Sequence, residues 1–187
     1  MSTPSLTGDD VDPVATVLPR IEQRSSFLAE RLTDPEVVRR YRSYVSEATL
    51  STGCHVWTGA ICGRGHGRFW VGAYPEDGRD CVVVAHRFGY ALEYGLEALE
   101  ATAVIRHRCD EPSCQTPTHW VPGTVQENTS EWSRRRWVIG SPLRDTRTGR
   151  GRAEALRAAA LAGIDLDATA RVGSPPADRW QPALFGE

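Results

Sequence analysis

The feature that most constrains this chain is the run Cys109-x4-Cys114-x4-His119, three metal-ligand side chains within one short loop. Thiolate and imidazole together suit a tetrahedral zinc ion. Pro112 and Pro117 fall in the same loop and stiffen its turns. A structural site closes with four ligands, so the loop needs one more from elsewhere. Cys54 is the first choice, because it opens a strand-like segment able to lie beside the loop; Cys62 and Cys81 are the reserves. Three cysteines and one histidine leave no position for water, which makes the expected role structural. The chain has five cysteines, and Met1 to Pro13 shows neither a basic start nor an apolar run. An odd thiol count in a chain read as unsecreted, and so cytoplasmic, argues for metal rather than a disulfide framework.

Punctuation and periodicity around the loop give an α+β reading. Residues 1–33 begin rich in Ser, Thr, Pro and Asp and are expected to be a flexible arm. Asp34-Pro35 starts a helix whose apolar face carries Val37, Val38, Tyr41, Tyr44 and Val45. From Cys54 to Ala85 the aromatic and β-branched runs His55-Val56-Trp57, Arg68-Phe69-Trp70-Val71 and Cys81-Val82-Val83-Val84 read as strands separated by glycines. His86 to Tyr94 reads as a helix stopped by Gly95. Ala103-Val104-Ile105 is a short strand running into His107, and His119-Trp120-Val121 returns from the loop. Thr124 with Glu127 three residues on predicts a capping box and a helix to about Trp137. The expected main domain is 34–137 with its core at 103–137. An Arg-, Ala- and Pro-rich extension follows at 138–187, with one helix from Arg152 to Gly163 and a mobile tail from Gly173.

The run from His107 to Trp120, with Cys109, Cys114 and His119 in place, followed by Gly123-Thr124 and Asn128, resembles the HNH (His-Me finger) endonucleases. The subgroup it is most similar to is that of the zinc-containing His-Cys box homing endonucleases and related phage and bacterial HNH proteins. Cys54-His-Val-Trp57-Thr-Gly59 and Ala85-His86-Arg87 add to the resemblance, which spans Val45 to Arg136. It implies a small ββα-metal core stapled by structural zinc on Cys54, Cys109, Cys114 and His119. It also implies His107 as general base and Asn128 as ligand of a catalytic Mg2+ or Mn2+. Two departures matter. No cysteine follows Cys114, so the second zinc site of the homing enzymes is absent; and Arg106 stands where many HNH nucleases place a metal-binding Asp before the histidine.

The implied activity is hydrolysis of DNA phosphodiester bonds. The alternative is a noncatalytic zinc-stabilised module that binds DNA or protein on the same scaffold. A net charge of -2 does not by itself advertise nucleic acid, but the charge is uneven. All 22 basic residues are Arg, and Arg134 to Arg152 holds seven of them against the single acid Asp145. Arg134, Arg135 and Arg136, directly after the Asn128 helix, are expected to grip DNA phosphates, with Arg68 and Arg87 as further contacts. His86 is expected to be scaffold, and His55 and His66 to lie on the surface. Gln181, Leu184 and Phe185 match the short Gln-x-x-Leu-Phe peptides that dock on bacterial sliding clamps. The apolar runs are too short to span a membrane.

Overall fold

The computed structural model describes the backbone of residues 13–180 and the side chains of residues 23–178. The chain is α+β, with three small antiparallel sheets and helices before, between and after them. Helix α1 (Pro13–Thr33) leads into α2 (Pro35–Ser43), β1 (Val45–Thr49) and β2 (His55–Trp57). A meander of β3 (Ala60–Ile61), β4 (Gly67–Ala73) and β5 (Asp80–Val84) runs into α3 (Ala85–Tyr94) and α4 (Leu96–Glu100). The hairpin of β6 (Val104–His107) and β7 (Trp120–Gly123) is followed by α5 (Val125–Arg135). The chain then forms α6 (Thr148–Ala162), α7 (Leu166–Val172) and α8 (Pro176–Trp180). Among the described residues no helix is long and apolar enough to cross a membrane.

Local chemistry sets several of these boundaries as expected. The Asp34 carboxylate accepts from the backbone N–H groups of Glu36 and Val37, and Pro35 opens α2. Thr124 and Glu127 form the reciprocal capping box at the start of α5. Gly95 ends α3 at φ 92°.

The main core gathers Tyr41, Trp57, Phe69 and Phe88, whose rings meet with centroids 4.9–5.9 Å apart. Gly89 lets α3 approach this cluster, since a Cβ there would strike the Tyr41 hydroxyl and the Trp120 ring. A second core joins Leu50, Val56, Cys54 and Cys114 to Leu156, Ala159 and Leu166 from the C-terminal helices.

Two expectations about the ends are corrected. Residues 13–33, expected as part of a flexible arm, form α1, whose Phe27 and Leu28 bury against the sheet of β4 and β5. The polar composition of the first two dozen residues concealed that pair. The described part of the extension, residues 138–180, is also more ordered than expected. Helix α6 begins at Thr148 and caps at Gly163 (φ 67°), and α7 follows it. Helix α8 lies where a mobile tail is expected, with Asp178 accepting from Arg144 at 2.7 and 2.8 Å. Apolar Leu156 and Leu166 supply the reason, since each buries almost completely against the loop region. Gln181, Leu184 and Phe185, the expected clamp-binding residues, lie outside the described residues.

Candidate functional site

The metal-ligand side chains are assembled by two segments that lie antiparallel. The tight turn Ser51-Thr52-Gly53, with Gly53 at φ 79°, delivers Cys54 to the start of β2. The Cys109–His119 loop then runs beside β2: Gln115 donates its N–H to the His55 carbonyl (2.7 Å), and Trp57 donates to the Ser113 carbonyl (2.9 Å). Val56 and Cys114 form a β-bridge between them. Thr116 ties both sides, donating its hydroxyl to the Gly53 carbonyl (2.9 Å) and accepting the His55 N–H (3.0 Å).

This pairing brings together Cys54, Cys109, Cys114 and His119, with one ligand atom of each within 4.8 Å of every other, so the four can hold a metal ion. The His119 Nδ1 lies 3.4 Å from Cys54 Sγ and 3.5 Å from Cys114 Sγ. All five cysteines are free thiols; Cys62 and Cys81, the reserves, stand outside the cluster. Hydrogen bonds from the neighbouring Cys109 and Cys114 thiols push the Cys54 thiol down to about 2. Cys109 and then Cys54 in turn push Cys114 up. The cluster thus favours one thiolate and resists several at once, a repulsion that a divalent cation relieves.

The loop carries a second buried feature that the sequence reading missed. Glu111, fully buried, accepts from the Ser113 hydroxyl (2.9 Å) and from Arg152 Nε on α6 (2.6 Å). Arg152 also reaches Asp145 at 3.2 Å. Ser51 donates to Asp167 on α7 through its backbone and its hydroxyl. The C-terminal helices therefore clasp both segments of the cluster. Glu111 sits between two candidate ligands, but only its partner 41 residues later reveals its role.

Asp110 and Pro112 of the same loop help line a cleft of roughly 660 Å³. His107, at the end of β6, and Asn128, in the first turns of α5, both line it, together with Arg64, His66, Asp110 and Glu131. The His107 Nε2 lies 3.1 Å from the Cys114 carbonyl oxygen. A carbonyl only accepts, so Nε2 carries the proton and Nδ1 keeps its lone pair. The Trp120 indole donates to the same carbonyl at 3.3 Å, so one backbone oxygen of the cysteine loop fixes both rings. Burial pushes His107 down to about 4, with a further push from the neighbouring His66, so the ring is neutral at neutral pH. Asn128 is exposed, and its side-chain amide has no hydrogen-bond partner among the described residues.

His66 corrects an expectation. It is partly buried rather than on the surface, because the glycine-rich bend at Gly65 and Gly67 turns it inward. There it meets His107 (centroids 6.0 Å) and His86 (5.3 Å), and His86 meets His107 at 4.5 Å. His86, expected as scaffold, is buried in the first turn of α3. Burial holds its ring well below the usual imidazole range, reinforced by His107 and His66.

The arginines expected to grip phosphates differ in exposure and in partners. Arg68 on β4 and Arg134 on α5 are exposed. Arg135 is turned inward, to Asp110 (3.1 Å), Glu131 (3.5 Å) and the carbonyls of His107 and Arg108 (3.4 Å each). Arg136 lies 4.6 Å above the rings of both Trp132 and Trp137. Arg87 lines a different cavity, beside Arg24 and Leu96. Arg106, ahead of His107, pairs with Glu131 at 2.6 Å. Arg64 lines the cleft itself and was not anticipated.

Two proteins of Escherichia phage T7 are similar to part of the chain. Protein 7.7 is 33% identical over 78 residues, covering 42% of this chain and 53% of that protein. Protein 2.8 is 32% identical over 81 residues, covering 43% of this chain and 50% of that protein. The chain thus spans about half the length of these curated relatives. No protein-family model matches the chain. No solved structure matches it either.

Proposed function

We propose that this chain is a metal-dependent DNA endonuclease of the HNH kind, with a ββα-metal core made of the β6–β7 hairpin and α5. The observation that carries the reading is the convergence of His107 and Asn128 on one cleft, with the His107 ring fixed by the Cys114 carbonyl of the cysteine loop. The motif that resembles HNH enzymes supplies the roles.

Zinc is the metal assigned to the four-ligand cluster. Zn–S near 2.3 Å and Zn–N near 2.05 Å at tetrahedral angles give an S···N edge of about 3.6 Å, and the two S···N separations here are 3.4 and 3.5 Å. The donor set has three sulfurs and one nitrogen, which closes a structural site. Its work is to fix the loop, and through the Cys114 carbonyl to fix the base.

Hydrolysis then needs a water activated next to a phosphodiester. His107 Nδ1 takes the proton as the water oxygen forms its bond to phosphorus, and the bond from phosphorus to the 3′ oxygen breaks. General-base assistance of this kind contributes roughly a hundred- to ten-thousand-fold in rate. The Asn128 amide oxygen, free and exposed, suits a hard Mg2+ or Mn2+ completed by phosphate and water oxygens. Such an ion supplies Lewis-acid stabilisation of charge on the phosphate and the leaving oxygen. Arg64 at the cleft and Arg134 beyond it are the cationic side chains available to phosphates.

Incubation of the protein with supercoiled plasmid and Mg2+ or Mn2+ tests the reading. Nicked or linear DNA is expected from the wild type. Asn128→Ala is expected to lose cleavage in Mg2+ and regain part of it in excess Mn2+. DNA binding without cleavage in any divalent metal would leave the noncatalytic zinc module as the function.

A further inference from the structure

We propose that His66, His86 and His107 form a second metal site, one that takes a borderline transition-metal ion of the zinc class on three imidazole nitrogens. The three rings come from three separate elements: the bend before β4, the first turn of α3 and the end of β6. One ring nitrogen of each lies within 4.8 Å of the others. Three nitrogens on one zinc ion stand about 3.3 Å apart, so small side-chain rotations close the set.

Two observations point to a ligand there. His86 is 5% exposed, and its Nδ1 is buried with no hydrogen-bond partner among the described residues. A buried polar nitrogen left unpaired is costly, and a metal ion repays that cost. His107 has its Nε2–H committed to the Cys114 carbonyl, leaving Nδ1 as the donor. Metal-bound histidines commonly use the second nitrogen in this way, to fix the ring on a backbone carbonyl.

The chemistry also selects the ion. The cleft's carboxylates are already engaged, Asp110 with Arg135 and Glu131 with Arg106 and Arg135. An all-imidazole set favours zinc, nickel or copper over Mg2+. Three protein ligands leave a fourth position, and the cleft at His66 and His107 gives an entry path. Occupancy ties up the His107 lone pair. On the nuclease reading above, an ion here therefore silences the base, and the site acts as a metal-sensitive brake.

Equilibrium dialysis of the full-length protein against micromolar Zn2+, followed by elemental analysis, tests the site. About two equivalents are expected for the wild type, one for each ligand set. His66→Ala, at a partly buried position, is expected to keep its circular dichroism and the cysteine-bound equivalent while losing the other. A wild type that holds one equivalent only, or a His66→Ala protein that keeps both, overturns the proposal. Cobalt(II) loading of the wild type gives a second measurement that needs no variant. The first equivalent should bring intense near-ultraviolet sulfur charge transfer, and the second only weak visible bands. A second equivalent that adds further sulfur absorption would place it on Cys62 or Cys81 and overturn the proposal. Neither measurement uses DNA cleavage, so failure of this site and failure of the nuclease reading are distinguishable.

Discussion

The cysteine cluster and the histidine cluster meet around the Cys109–His119 loop and differ in chemistry and enclosure. The first is sulfur-rich and covered by α6 and α7, with Leu156 and Leu166 packed over it and Arg152 reaching Glu111 beneath. The second is made only of imidazoles, and two of its three rings line an open cleft. Enclosure suits a metal whose task is to hold backbone; openness suits groups whose task is to meet solvent and substrate. One link between the two clusters is Cys114, which supplies a thiol to one and whose carbonyl oxygen accepts from His107 in the other.

The strongest way to break this comparison is to remove the metal from the cysteine cluster. In small zinc modules the ion contributes about 10–16 kcal/mol, comparable to the whole stability of an ordinary domain at about 5–15 kcal/mol. Chelator treatment is expected to abolish the cooperative thermal transition of the loop region and its near-ultraviolet circular dichroism. Metal-free protein with an unchanged Tm would show that the cluster is packing alone.

A smaller break removes the clasp and leaves the ligands. Arg152→Ala strands the Glu111 carboxylate, since the two side chains are only 9% and 1% exposed. The expected cost is about 3–5 kcal/mol, or roughly 10 °C in Tm for a chain of this size. The paired replacement Arg152→Met with Glu111→Leu should recover most of that loss, because neither charge is then buried alone. A single variant with wild-type Tm would place the clasp outside the stabilising contacts.

Removing the cap of α5 sharpens the comparison on the cleft side. Thr124→Ala loses the bond to the Glu127 N–H (3.1 Å). It should cost about 1 kcal/mol, with metal content unchanged and cleavage reduced, because Asn128 rides on the first turns of the same helix. The smallest effect belongs to Arg134→Ala. This exposed side chain should leave Tm alone while lowering the slope of log affinity against log salt by about one unit; an unchanged slope would remove Arg134 from the DNA path.

Sequence spacing made the cysteine cluster legible, because three of its four residues are local and the fourth begins a recognisable strand. The caps of α2 and α5 were legible for the same reason, each being a pattern within four residues. The histidine cluster was not. His66, His86 and His107 stand 20 or more residues apart, and His66 hides among Gly63, Gly65 and Gly67, where a bend rather than a ligand is the natural reading. Glu111 and Arg152 were illegible likewise, since a buried ion pair across 41 residues leaves no periodic trace. Helices α1, α7 and α8 were obscured by polar and Pro-rich composition, whereas the Ala-rich run made most of α6 legible. Their order comes from a few apolar contacts, Phe27 and Leu28 at one end and Leu156 and Leu166 at the other.

On the proposed reading, His107 performs the chemistry while the cysteine cluster only holds it in place. The most direct measurement compares wild type and His107→Ala for plasmid cleavage in Mg2+, with metal content and Tm taken on the same preparations. Cleavage is expected to fall by about a hundred-fold or more, while the cysteine-bound metal and DNA affinity stay near wild type. A His107→Ala protein that cuts as fast as the wild type, with its metal intact, would contradict it.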